Sequence, residues 1–326
     1  MNRTFKLLFI GAMLTTTATS YASQKLCVFD PLGTQGDAYF FMKDYAVAAK
    51  QWGADITLKA YTDDAKVNDD FKLGKCDALA TTGIRTRQFN NFSGSIDSAG
   101  GVPNDEVAKT VIALMANPKL ANEMISQDTE VVGVSPLGMA YAIINDRNIN
   151  SMAKMNGKRF GILEYDTAQR LIVEKMGAEP VPVTLSTMAN QYNAGKLDIV
   201  DLPIYAYKAL GFKNASILNY PVAYLTTQIT IHPAKFPDGY GQKSRTWTAG
   251  QLERQFKSIN QLIKNVDPKV WVNTSPTDVT YANKLLRFAR MSMAKEGAYS
   301  PRMMSILKKT RCVKDPTNFE CALHDE

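Results

Sequence analysis

The 326-residue sequence predicts an α/β protein of two similar lobes facing each other across a cleft, with strands crossing between them and helices at the C-terminal end. Three features predict it. Residues 26–81 alternate short apolar strands with helical segments, the pattern of a parallel sheet covered by helices. The same order returns at residues 159–204. Two long apolar runs, residues 131–145 and 222–231, read as strands that cross between the lobes.

The first strand, residues 26–30, ends in a glycine-rich loop containing Gly33, Thr34, Gln35 and Gly36. Asp37 opens a helix in which Phe40, Tyr45, Ala48, Ala49 and Trp52 fall near helical spacing, and Gly53 stops it. A strand over 55–61, a second helix and a strand over 77–81 complete the first unit. The second unit has a strand over 159–163, a helix over 166–176 and a strand over 180–183. Phe71-x-x-Gly74-Lys75-x-Asp77 and Tyr192-x-x-Gly195-Lys196-x-Asp198 then occupy equivalent places before the third strand of each unit. Helix-Gly-polar-Asp-strand is ordinary punctuation of α/β proteins when met alone. Met twice, about 120 residues apart, it indicates two similar lobes, expected at 23–135 with 230–326 and at 136–229. Helices over 249–265, 277–296 and 300–310 are placed on the first lobe and the hinge.

Arg3 and Lys6, the apolar run Leu7–Leu14 and the small-x-small site Ser20-Tyr21-Ala22 read as a cleavable export signal over 1–22. Cleavage would leave 304 residues carrying a net +5, and the periplasm is the expected location. The remaining apolar stretches are short and interrupted, so no membrane span is expected. Basic residues are spread thinly, without a run interleaved with aromatics, which argues against nucleic-acid binding. Four cysteines suit an oxidising compartment. Three pairings are open from the sequence. Cys312–Cys321, closing a short tail loop, and Cys27–Cys76, on neighbouring strands, have a topological reason. With no C-x-x-C and only His232 and His324, neither a metal site nor a cofactor is expected.

Gly157-Lys158-Arg159-Phe160-Gly161-Ile162, then Gly177-Ala178-Glu179-Pro180-Val181-Pro182, Gly195-x-x-Asp198 and Pro203 resemble the second-lobe core of TRAP-transporter solute-binding proteins. Gly33–Trp52, Lys72–Ala78 and Tyr220–Pro237 are similar to that family's first ligand loop, first-lobe turn and return strand. The cysteine-bearing segment around Cys76 and the tail loop look closer to a divergent AdeT-like subgroup, some of whose members carry an RND-type efflux label. The resemblance implies a periplasmic binding protein of type II-like architecture. It implies a monomer that captures a small ligand and hands it to a membrane transporter subunit. Gly161 stands where the family carries the arginine that grips a substrate carboxylate, and Leu202 where it carries an asparagine.

Open α/β sheets bind ligands beyond the C-terminal ends of their strands. That rule nominates Asp30, Thr34 and Gln35 after the first strand, and Thr81, Thr82 and Arg85 after the third. Met139 and Tyr141 on one crossing strand and Tyr224 on the other join them. Glu164, Tyr165, Asp201 and Tyr205 follow from the second unit. Asp166 is expected to cap its helix. Asp30, Glu164, Asp166 and Asp201 would make the cleft negative, and Arg85 or Arg87 could rebuild a carboxylate clamp. An enzyme is not expected: the sequence has no G-x-S-x-G, P-loop or H-E-x-x-H motif, although a carboxylate pair, as in a hydrolase, stays open. An efflux accessory role would need heptad hairpins or a lipoyl-like module, and neither is visible.

Overall fold

The computed structural model describes residues 23–323, so the export signal and His324 lie outside the described residues. The first unit is β1 (Gln24–Phe29), α1 (Asp37–Ala49), β2 (Ile56–Tyr61), α2 (Asp64–Lys72) and β3 (Ala78–Thr82). Short helices α3 (Gly83–Thr86) and α4 (Asn91–Gly94) lead to α5 (Asp105–Met115), β4 (Ile125–Ser126) and the long β5 (Thr129–Ile144). The second unit is β6 (Arg159–Leu163), α6 (Thr167–Lys175), β7 (Glu179–Val183), α7 (Leu185–Asn193) and β8 (Ile199–Pro203). It is followed by α8 (Ile204–Ala209) and the long β9 (Ser216–Ile231). The C-terminal part holds α9 (Tyr240–Gly250), α10 (Leu252–Lys264), β10 (Trp271–Val272), α11 (Pro276–Lys295) and α12 (Pro301–Lys314).

The strands do not form separate sheets. They make one mixed sheet in the order β2-β1-β3-β9-β5-β8-β6-β7. Pairing is parallel within each unit and antiparallel along the central seam from β3 through β9 and β5 to β8. The order is symmetric about the β9–β5 pair, with 2-1-3 on one side matched by 7-6-8 on the other. Each crossing strand has 16 residues, roughly 50 Å at the usual rise. Register shifts at Val131/Gly133, Pro136/Gly138 and twice between Ala140 and Ile143 bend this pair. Gly138 has φ +103°, and a Cβ there would lie 3.1 Å from Ile259 Cγ2. Only glycine makes that bend without strain.

The repeated punctuation has the same geometry in both units. Gly74 and Gly195 adopt φ +68° and +71°, and their N–H groups donate to Phe71 O and Tyr192 O. The Asp77 carboxylate accepts the N–H of Lys25 at 2.8 Å, and the Asp198 carboxylate accepts that of Arg159 at 2.9 Å. Each aspartate therefore satisfies the open donor where the central strand of its unit begins.

Both sheet faces are covered. In the first unit Met42, Tyr45 and Ala49 of α1 pack on one face, while Val67 and Phe71 of α2 pack on the other. In the second unit α6 covers the face carrying Phe160 and Ile162, and α7 and α8 cover the face carrying Leu163 and Leu202. The helix placement differs from expectation at α11. α12 packs on α5, but α11 lies against α6, and its Ala282, Leu285 and Leu286 enter the same core as Phe160 and Ile162. An apolar stripe goes where unfilled apolar surface remains, and the second unit supplied it. Among the described residues no helix is long and apolar enough to cross a membrane.

Both expected cysteine pairs are present, with Cα atoms 5.9 Å apart for Cys27–Cys76 and 5.6 Å for Cys312–Cys321. The second one holds a tail that reaches deep into the molecule. Glu320 Oε2 accepts from Arg290 Nη2 at 2.7 Å and Arg311 Nη2 at 2.9 Å. The same arginines donate to Ala99 O and Gly101 O. Two buried guanidinium groups thus share one tail carboxylate, and the segment around Ala99 is tied to the tail loop.

Candidate functional site

A cleft of about 430 Å³ opens where the first unit, the crossing strands and α8 meet. Phe29 and Asp30 end β1, Asp37 and Phe40 come from the start of α1, and Thr82 ends β3. Ser135 and Pro136 come from the bent part of β5, Tyr205 from α8, and Arg254, Gln255 and Ser258 from α10. The Ser135 Oγ is buried without a hydrogen-bond partner. Burial pushes the Tyr205 phenol up, with the nearby Asp30 and Asp37 charges adding to the effect. The wall is therefore aromatic with hydroxyls at its edges, a surface that presents a flat apolar side and polar tips to a ligand.

Much of the charge in this cleft is already committed. Asp30 is 4% exposed, and its carboxylate accepts N–H groups of Leu32 at 2.9 Å and Tyr39 at 3.2 Å. Burial raises its pKa, and those donors oppose the rise. A Cβ on Gly36 would sit 1.8 Å from Asp30 Oδ1, so glycine is required for the loop to wrap the carboxylate. Arg254 donates to Asp44 at 2.9 Å. Lys43 lies over the Tyr39 and Phe40 rings at 5.3 and 4.7 Å.

Arg85 is not a free clamp. Its Nε donates to Asp64 Oδ2 at 2.7 Å, Asp64 is fully buried, and the guanidinium lies 3.3 Å over the Tyr165 ring. Glu164, exposed, stands 3.9 Å from Nη2. Arg85 thereby ties the loop after β6 to the first unit. Beside it Arg87, Gln88, Asn91 and Thr167 line a second opening of about 380 Å³.

The carboxylates expected to make one negative cleft are divided. Asp166 accepts Ala168 N–H and Gln169 N–H, the capping role expected of it. Asp166 and Asp201 line a separate inner chamber of about 80 Å³. Asp97, which no sequence pattern marked, completes that chamber. It lies in a Gly- and Ser-rich stretch without periodicity. Burial raises both Asp97 and Asp201 to about 7, and Asp166 adds to each shift.

Several nominated residues lie elsewhere. Met139 and Tyr224 are buried in the core beneath α5 and α10, where they pair with each other across β5 and β9. Thr81 is buried at 1% exposure and points to the other sheet face from Thr82, as successive strand residues must. Thr34 and Gln35 are exposed and line none of these three cavities. Tyr141 packs its ring against Trp271 at 5.2 Å. Gly161 and Leu202 belong to apolar packing. A Cβ on Gly161 would meet Leu197 Cδ1 at 2.9 Å and Val200 Cγ1 at 3.0 Å, and Leu202 is buried. The space of an arginine is filled by leucine and valine. His232 is stacked on Phe71 at 4.3 Å, and among the described residues no group of three His, Cys, Asp or Glu could hold a metal ion.

A family model described as solute-binding protein AdeT 1/2 matches residues 46–326. The probable solute-binding protein AdeT1 of Acinetobacter baumannii is 41% identical over 305 residues, 92% of this chain and 100% of that protein. The probable solute-binding protein AdeT2 of Acinetobacter baumannii is 27% identical over 235 residues, 71% of this chain and 99% of that one. In fold, the chain is similar to a TRAP periplasmic solute-binding protein from Desulfovibrio salexigens crystallised with bound orotic acid. The TM-score is 0.71 at 12% identity, covering 89% of this chain and 97% of that chain. By sequence, this chain belongs to the AdeT 1/2 family of solute-binding proteins.

Proposed function

We propose that the 430 Å³ cleft is the solute site, that a small polar ligand is captured there by closure of two lobes, and that a membrane transporter receives it. One observation carries the reading: the cleft is lined jointly by strand ends of the first unit, the bent β5 and Tyr205 of the second half. Only a closed arrangement brings all three to one ligand, so binding energy is available to drive closure. The lobes are 23–135 with 230–326 and 136–229, except that α11 packs onto the second of them, and they hinge on β5 and β9. The protein acts as a monomeric carrier in the periplasm, not as a catalyst, after removal of residues 1–22.

The ligand class follows from what the walls lack. Among the described lining residues the one guanidinium, Arg254, is paired with Asp44, and Gly161 and Leu202 contribute no polar side chain. A simple carboxylate therefore finds no bidentate partner. Thr82, Ser135, Ser258 and Tyr205 suit a ligand with several hydroxyls or an amine. Calorimetry with succinate, pyruvate and glucosamine tests this. Glucosamine is expected to bind at least ten-fold more tightly than either acid, and Tyr205→Ala is expected to weaken it. Micromolar succinate binding would overturn the ligand class. Absence of binding by any small polar solute, native extracts included, would overturn the carrier reading.

A further inference from the structure

We infer that the inner chamber is a second binding site, built for the ammonium group of a short alkylamine. It shares no lining residue with the solute cleft. On β8 Asp201 lines the chamber while Leu202 packs beneath α7 and α8. The site therefore stands or falls independently of the cleft.

The chamber has two ends of different chemistry. Its long side is apolar, formed by Met152, Met155, Phe160, Val173 and Leu286. Its other end carries Asp97, Asp166 and Asp201, and no Lys, Arg or His is among the described lining residues. The three carboxylates are not equally satisfied. Asp97 accepts from Thr226 Oγ1 at 2.6 Å and Thr226 N at 3.1 Å. Asp166 accepts two helix N–H groups. Asp201 has a single long contact, from Gln169 Nε2 at 3.5 Å, while its Oδ1 is buried with no hydrogen-bond partner. A buried orphan acceptor costs stability unless a donor arrives. The groups facing these carboxyls from other elements are the Tyr299 ring and the Arg87 guanidinium, which lies over that ring at 4.7 Å. Arg87 acts on Asp97 through space and does not enter the chamber. About 80 Å³ is several times the roughly 10–15 Å³ that one water needs by the same probe measure, room for an amine of three or four carbons. A cation there gains the free Asp201 oxygen and places its chain on the methionine and phenylalanine wall.

The test is ligand-observed NMR, by saturation transfer from the disulfide-intact protein to n-propylammonium, with n-propanol as the neutral isostere. Propylammonium is expected to bind at least ten-fold more tightly than propanol, and Asp201→Asn to remove that preference. Ala142→Val, which occupies chamber volume and leaves every carboxylate, is expected to weaken propylammonium as well. It keeps the test open if Asp201→Asn does not fold. Equal affinity for amine and alcohol would overturn the inference. So would propylammonium binding unchanged in both variants, which would place the amine elsewhere.

Discussion

Replacing Asp97 by asparagine should change how stability depends on pH more than it changes stability at any one pH. Asp97 is 3% exposed, and burial lifts its carboxyl from 3.8 to about 7 against the opposing hydrogen bonds from Thr226. In the unfolded chain it titrates near 3.8. Between those values the folded protein holds a proton that the unfolded chain has released. The contribution is therefore complete below about pH 4 and is lost as pH rises through 7. Three pKa units at about 1.4 kcal/mol each give a loss of about 4 kcal/mol across that window. Asp97→Asn has no proton to lose there. Urea denaturation from pH 4.5 to 7.5 should show wild type losing stability relative to the variant by about 1.4 kcal/mol per pH unit. Asp201 titrates in both proteins and largely cancels in the difference. Asp198 acts in the opposite direction and elsewhere: Arg159 holds it at about 2, so its stabilisation is present above 3.8 and lost only as pH falls towards 2. A wild-type-minus-variant difference that stays flat from pH 4.5 to 7.5 would refute the assignment of a neutral buried carboxyl.

Glu320→Ala removes a buried carboxylate that Arg290 and Arg311 share, so a loss of about 3–5 kcal/mol is expected by denaturant titration, and loss below about 1 kcal/mol would show that the other contacts of these arginines suffice. Opening Cys27–Cys76, whose sequence separation is 49, should cost about 4 kcal/mol, and opening Cys312–Cys321, with separation 9, about 3 kcal/mol; equal melting of both double-alanine variants and wild type would contradict this. Gly161→Arg drives a side chain into Leu197 and Val200, so it should lose about 1–3 kcal/mol or more without gaining succinate affinity, as calorimetry would show. A stable variant that binds succinate would mean that the apolar packing there yields.

Strand and helix positions were legible because their signals are local. Periodicity placed the strand at Arg159–Leu163 and the helix after Asp166, and the paired Gly-x-x-Asp punctuation at Gly74 and Gly195 marked two equivalent turns. The disulfides were legible once neighbouring strands were assumed, because Cys27 lies on the first strand and Cys76 just before its neighbour. The departures at Gly161 and Leu202 were also visible as residue identities. What the sequence could not decide was which groups are spent on the protein itself. Arg85 looked available until Asp64, 21 residues away, proved to be its partner, and Asp30 until its loop closed around it. Met139 and Tyr224 were lost to the core because, paired with each other across the two crossing strands, they pack beneath α5 and α10. Asp97 reached the inner chamber from a segment without pattern, and α11 crossed to α6 to fill apolar surface. Local chemistry is written in neighbouring residues; burial, pairing and the two faces of one sheet arise only when distant segments meet.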